Sequence, residues 1–199
     1  RCNFCTMPMG AGSLCGLGGG ALTLALEQPD CGGGELPGAV NRSMQHLQDA
    51  DLPALVASLL KRHSTKPSLL KIEVTETALM ADPPRSAAIF AELRKLGVRI
   101  SIGEFGSGSA SLAYLKQLPI DGLKIDRTFV FGITPAAEGV AIIRAAVEIV
   151  HGLGLTIVAE GVETQRAWNI LAGLGCDTVQ GYLVTRPLPA RQLGRWLAA

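Results

Sequence analysis

Six short apolar runs in this chain each end in, or lead straight into, a polar group able to bind an ion or move a proton. Residues 39–41 finish at Asn41, residues 69–74 carry Glu73 and lead to Glu76, and residues 98–102 run into Gly103-Glu104. Residues 122–125 end in Lys124-Ile125-Asp126, residues 155–159 lead into Glu160-Gly161-Val162-Glu163, and residues 178–180 end at Gln180. One polar residue at one strand end carries no information, because strands must end in something polar. Six in succession, with an excess of carboxylates and one lysine, predict a shared site. Carboxylates and a carboxamide are hard oxygen donors suited to Mg²⁺ or Mn²⁺. Two such ions can clamp the attacking and leaving oxygens of a phosphoryl displacement. Lys124 beside them could stabilise charge or orient the attacking water.

The elements that must position these residues follow from the pattern between the runs. Helical spacing recurs over residues 52–62, 85–96, 111–118, 138–153, 164–174 and 190–197. Asp51 precedes Leu52-Pro53 and Asp82 precedes Pro83-Pro84, each a capping residue followed by proline in the first turn. Gly97 and Gly154 stand where a helix turns into the next strand. Alternating strand and helix units imply a parallel sheet covered on both faces. The predicted class is therefore α/β, a (β/α) TIM-like barrel whose strand ends collect the polar residues around one mouth. Six units fall short of eight, so the barrel is expected to be incomplete at its N-terminus.

Residues 39–199 form the expected barrel domain, and residues 1–38 a glycine-rich, poorly patterned lead-in left from the start of that barrel. Gly16, Gly18 and Ala21 fit a loose dinucleotide-loop pattern, but no apolar strand precedes them. A weakly structured segment with one helix around residues 21–27 is the simpler reading. Cys2 and Cys5 form a CxxC without a second pair or nearby histidine, which argues against zinc. The five cysteines are irregularly spaced and predict no disulfide framework, so a reducing, cytoplasmic setting is expected. The chain starts at Arg1 and is expected to be a piece of a longer protein, which could itself be membrane-anchored. With 199 residues, 48% hydrophobic, and a net charge of +1, it reads as globular rather than nucleic-acid binding. No apolar stretch reaches bilayer-spanning length.

The ordered motifs resemble those of the EAL domain of bacterial cyclic-di-GMP phosphodiesterases. Asn41-Arg42-Ser43 resembles that family's N-x-S segment, and Glu73-Val74-Thr75-Glu76 its E-[IV]-T-E segment. Phe105-Gly106-Ser107-Gly108 with Ser111-Leu112 is similar to the end of its D-D-F-G-x-G-x-x-S-L loop. Leu123-Lys124-Ile125-Asp126 with Phe129, Val158 through Thr164, and Gln180-Gly181-Tyr182 with Arg186-Pro187-Leu188-Pro189 extend the likeness. The resemblance implies hydrolysis of one phosphodiester of cyclic di-GMP to linear pGpG, in signal transduction. It implies Asn41 and Glu73 as metal ligands, with Glu104 offering a further carboxylate. Glu160 would serve a second metal or its water, and Lys124 would hold that water. Glu76 would anchor the loop of residues 105–111, and Asp126, Glu163 and Gln180 would stand near substrate or behind the metals.

Two departures from the family pattern shape the expectation. The D-D pair reads Gly103-Glu104, so the first aspartate, the expected bridge between metals, is replaced by a residue without a side chain. The E-A-L tripeptide is missing, together with its glutamate and the strand expected to carry it. Met7-Pro8-Met9-Gly10 is only weakly similar to the segment that follows it, and Ser109 stands where the loop often has an aromatic residue. The expected domain is thus catalytically impaired and regulatory, with weak cyclic-di-GMP binding, doubtful Mg²⁺ or Mn²⁺ binding, and a homodimer or protein partner. An active phosphodiesterase and a non-catalytic interaction module remain the alternatives. Glu76 and Asp126 could equally be helix-start carboxylates, and Lys124 a salt-bridged structural lysine. His46, His63 and His151 are expected at the surface, Cys176 as a small buried residue, and Trp168 and Trp196 packed on the outside of the barrel.

Overall fold

In the computed structural model, the described residues are 5–7, 37–42, 47, 49–106, 111–134, 138–188, 192 and 196. The expected helix at 21–27, the glycine-rich loop, His46, Ser43 and Ser107–Ala110 lie outside them, as does most of the expected 190–197 helix. Seven strands form one sheet: β1 (Cys5–Met7), β2 (Gly38–Arg42), β3 (Leu70–Thr75), β4 (Arg99–Phe105), β5 (Gly122–Ile125), β6 (Thr156–Glu160) and β7 (Thr178–Gln180). Every neighbouring pair is parallel and the spatial order is the sequence order. This is the curled parallel sheet of a (β/α) barrel, incomplete on its N-terminal side. Among the described residues it has seven strands, where a closed barrel of this kind has eight.

One expectation is corrected here. The sequence pattern marks no strand ahead of residues 39–41, yet Cys5–Met7 pairs with β2, Cys5 opposite Gly38 and Met7 opposite Val40. The segment stands in a glycine-rich stretch without the repeating strand and helix units that mark the other short strands, so the pattern gives no signal. An unpaired edge on β2 favours any extended segment that can satisfy its backbone groups.

The helices are α1 (Leu52–Arg62), α2 (Glu76–Met80), α3 (Pro83–Lys95), α4 (Leu112–Leu115), α5 (Arg127–Val130), α6 (Glu138–Gly152) and α7 (Gln165–Gly173). Short polar caps start three of the helices that follow strands, two of them directly at the strand's end. Thr75 accepts from the Ala78 amide at 3.2 Å, Asp126 from Thr128 at 2.8 Å, and Thr164 from Ala167 at 3.1 Å. Each such cap is worth about 1 kcal/mol. By ending β3 and β5 abruptly, the first two keep the chain at the mouth of the barrel. Helical periodicity marks neither α2 nor α5, which are too short for it, although Glu76 and Asp126 stand as possible helix-start carboxylates; the pattern also overextends α4 to 111–118.

The core lies mainly between strands and helices. Ile72, Ile100, Leu123 and Ile157 pack outward from the sheet and are fully buried with Val56, Phe90, Leu93, Ile143 and Val147 of the surrounding helices. At the opposite end from the mouth, two matching clamps hold strand starts. Asp121 accepts from the Ile100 amide at 2.7 Å and pairs with Arg94 of α3. Asp177 accepts from the Ile157 amide at 2.8 Å, with His151 Nε2 of α6 2.9 Å away. In each case the helix residue stands six positions before the clamped isoleucine. His151 is exposed as expected, whereas His63, which ends α1, is half-buried. Among the described residues no helix is long and apolar enough to cross a membrane.

Candidate functional site

A strand's side chains alternate between its two faces. If Ile72, Ile100, Leu123 and Ile157 face the helices, then Lys71, Glu73, Ser101, Gly103, Lys124 and Glu160 face the barrel interior. The contacts agree with that assignment. Lys124 Nζ donates to Glu73 Oε2 at 2.7 Å and forms an ion pair with Glu160 as well. It thus reaches from β5 to β3 on one side and to β6 on the other. The side chains of Lys124 and Glu73 are 3% and 5% exposed, that of Glu160 26%.

Burial is the largest single influence on Lys124 and acts to lower its pKa. The charges and hydrogen bonds of Glu73 and Glu160 together outweigh it, so the ammonium is held above its ordinary value. Lys71, two residues before Glu73, is also buried; there burial dominates and lowers the pKa, opposed in part by Glu73 and Asp121. Lys71 was not singled out from sequence. Its signal was available, since its position two residues from Glu73 places both on one face. Arg42, adjacent to Asn41 and also buried, has its guanidinium pushed down to about 10 by desolvation.

The other expected site residues surround this ion triplet to differing degrees. Asn41 stands opposite Glu73 in the β2–β3 register and is half-buried. Gln180 stands opposite Glu160 in the β6–β7 register, and its carbonyl accepts from the Val162 amide at 3.0 Å. Glu76, only 2% exposed, accepts from the Gly106 amide at 3.1 Å, tying the start of α2 to the loop after β4. Gly106 has φ +95°, a conformation glycine adopts at little cost. Asp126 caps α5, so its carboxylate serves a helix start. Glu163 is exposed, just ahead of the Thr164 cap, and does not join the triplet.

Gly103 and Glu104 fall at an irregularity in the β4–β5 pairing between Ile102 and Phe105. Such bulges often re-aim a side chain beside an active site. Here Glu104 takes φ +55° and is exposed. A Cβ placed on Gly103 would meet nothing nearer than the Val74 carbonyl at 4.0 Å, so the position has room for a side chain that it lacks. Among the described residues, no three Asp, Glu, His or Cys side chains come together as a metal site would require.

Comparison with known proteins decides the family. The EAL domain family model matches residues 21–187. The chain belongs to the EAL domain family. It is 46% identical over 155 residues to the bifunctional diguanylate cyclase/cyclic di-GMP phosphodiesterase MucR of Pseudomonas aeruginosa, covering 78% of this chain and 23% of that protein. The chain therefore spans about a quarter of that relative's length. Among solved structures, the PaMucR phosphodiesterase in complex with c-di-GMP superposes with a TM-score of 0.85 at 42% identity, covering 89% of this chain and 79% of that one. A manganese/cyclic-di-GMP complex of Klebsiella pneumoniae BlrP1 superposes with a TM-score of 0.76 at 29% identity, covering 85% of this chain and 42% of that one. Cyclic di-GMP and divalent metal thus accompany this fold in its relatives.

Proposed function

We propose that this EAL domain acts in cyclic-di-GMP signalling as a regulatory element whose phosphodiesterase activity is strongly impaired. The observation that carries the reading is the open, donor-free position at Gly103, beside two carboxylates already held by Lys124. Phosphoryl displacement by a metal pair depends on ligands held within about half an ångström of their productive positions. The residues described do not fit such a pair. Asn41, Glu73 and Glu160 could each offer oxygen, but no carboxylate stands at Gly103 to bridge two ions, and Glu104 is exposed on a bulge. Losing that alignment costs orders of magnitude in rate.

What remains at the mouth suits recognition more than hydrolysis. The interior keeps its lysines, Glu76 holds the Gly106 amide just past β4, and Gln180 stands opposite Glu160 in register. Titration with labelled cyclic di-GMP, alongside a turnover assay in Mg²⁺ and Mn²⁺, tests the reading. Weak saturable binding without turnover supports it. Turnover at the rate of an intact relative would show an active phosphodiesterase, and no binding at all would show an interaction module. Gly103→Asp, which the backbone can accommodate, is the control: a gain in turnover would identify the missing carboxylate as a limiting defect.

A further inference from the structure

We propose that Lys124 is the resident cation of this site, so that a divalent ion can bind Glu73 and Glu160 only by displacing its ammonium group. This rests on the reading that the site lacks the donors of a metal pair, and extends it to what the remaining carboxylates do instead.

The geometry is specific. Lys124 is on β5 and Glu73 on β3, with β4 between them. A lysine can cross an intervening strand only where that strand's inward residues are small. At this level β4 presents Ser101 and then Gly103, the former opposite both Glu73 and Gly122 in register. Gly103 leaves the space above Ser101 open. The absent aspartate and the bridging lysine are therefore two aspects of one arrangement: removing a carboxylate from the middle strand opens the path by which Lys124 reaches Glu73. Glu160, on the next strand beyond Lys124, closes the triplet.

Charge supports the same conclusion. Among the described residues, the strand-borne, buried or half-buried charges of the inner face are the ammonium groups of Lys71 and Lys124 and the carboxylates of Glu73 and Glu160. They balance, two against two, without an added ion. A buried carboxylate requires a partner, and here a side chain supplies it permanently. A divalent ion gains nothing from an already neutral site unless it also expels the lysine. Lys124→Met removes the competitor and leaves two carboxylates facing the interior.

Manganese is the probe, read by the electron paramagnetic resonance signal of free Mn²⁺ and by thermal melting. The wild-type chain should show no site-specific Mn²⁺ binding, and its melting temperature should be the same in Mn²⁺ and in EDTA. Lys124→Met should bind Mn²⁺ about tenfold or more tightly than wild type, melt higher in Mn²⁺ than in EDTA, and lose both effects on adding Glu73→Gln. Equal or weaker Mn²⁺ binding by Lys124→Met overturns the proposal. Should that variant not fold, wild type decides: Mn²⁺ binding that disappears in Glu73→Gln overturns it, and its absence supports it. The two readings fail distinguishably: wild-type Mn²⁺ binding that needs Glu73 but brings no turnover overturns the competition and leaves impairment standing, whereas Mn²⁺-dependent turnover that needs Glu73 overturns both.

Discussion

Replacing Lys124 by methionine should destabilise the domain far more than loss of a surface ion pair would. The substitution keeps most of the side-chain volume and removes the charge, leaving Glu73 with its side chain 5% exposed and its partner at 2.7 Å gone. Breaking a buried pair from one side typically costs about 3–5 kcal/mol, because a buried charge is left without compensation. Glu160 adds little, since its side chain is a quarter exposed and water can replace the lysine there. A loss of about 3–5 kcal/mol is a large part of the roughly 5–15 kcal/mol that holds a typical domain together. The pairing itself is separated from simple loss of packing by a second change. Lys124→Met with Glu73→Leu removes both charges, and most of the lost stability should return, because apolar replacement of a buried pair is often neutral or better. Urea unfolding gives the answer as a shift in midpoint at constant slope. A single-variant loss below about 1 kcal/mol, with no recovery in the double variant, would refute the buried-triplet argument.

Other outcomes follow from the same structure. Because the Lys124 pKa is raised in the fold, its stabilising contribution is complete below the ordinary lysine value of 10.5 and is lost as pH rises through the higher folded value. The stability difference between wild type and Lys124→Met should thus be flat from neutral pH to that point and shrink above it, read by urea midpoints across the alkaline range. Gly181→Ala should destabilise by several kcal/mol and disturb the β6–β7 end of the site, since its Cβ would overlap the Val162 backbone; thermal melting checks this. Cys176, half-buried and with its thiol pushed up to about 11 by burial and then by Asp177, should alkylate much more slowly in the native than in the unfolded chain. Peptide-level mass spectrometry of iodoacetamide adducts measures that ratio.

Much of this architecture was legible in the sequence because period-two apolar runs and their polar ends repeat in order. Residues 122–125 and 178–180 were read at the bounds that β5 and β7 show, and Pro83-Pro84 after Asp82 marked the start of α3. What escaped was short or relational. β1 lies in the unpatterned glycine-rich lead-in, without the flanking strand and helix units that marked the equally short β7, and α2 and α5 have only four or five residues each. The Glu73–Lys124–Glu160 triplet depends on three strands meeting, which spacing alone does not encode. Glu76 and Asp126 looked alike as helix-start carboxylates, yet Asp126 caps its helix while Glu76 reaches across to Gly106. Only the position of the Gly106 amide beside the start of α2 separates them. Lys71 shares the face of Glu73, but a lysine within an apolar run also reads as the surface of a half-exposed strand, whereas this strand is buried on both faces.

The proposed impairment predicts that the site as constituted does not hydrolyse cyclic di-GMP at a significant rate. Its most direct test is chromatographic measurement of pGpG formed from cyclic di-GMP by the purified chain in Mg²⁺ or Mn²⁺, with Glu73→Ala run in parallel. The expected result is no product above the enzyme-free background in either protein. Steady turnover by wild type that disappears in Glu73→Ala would contradict the account.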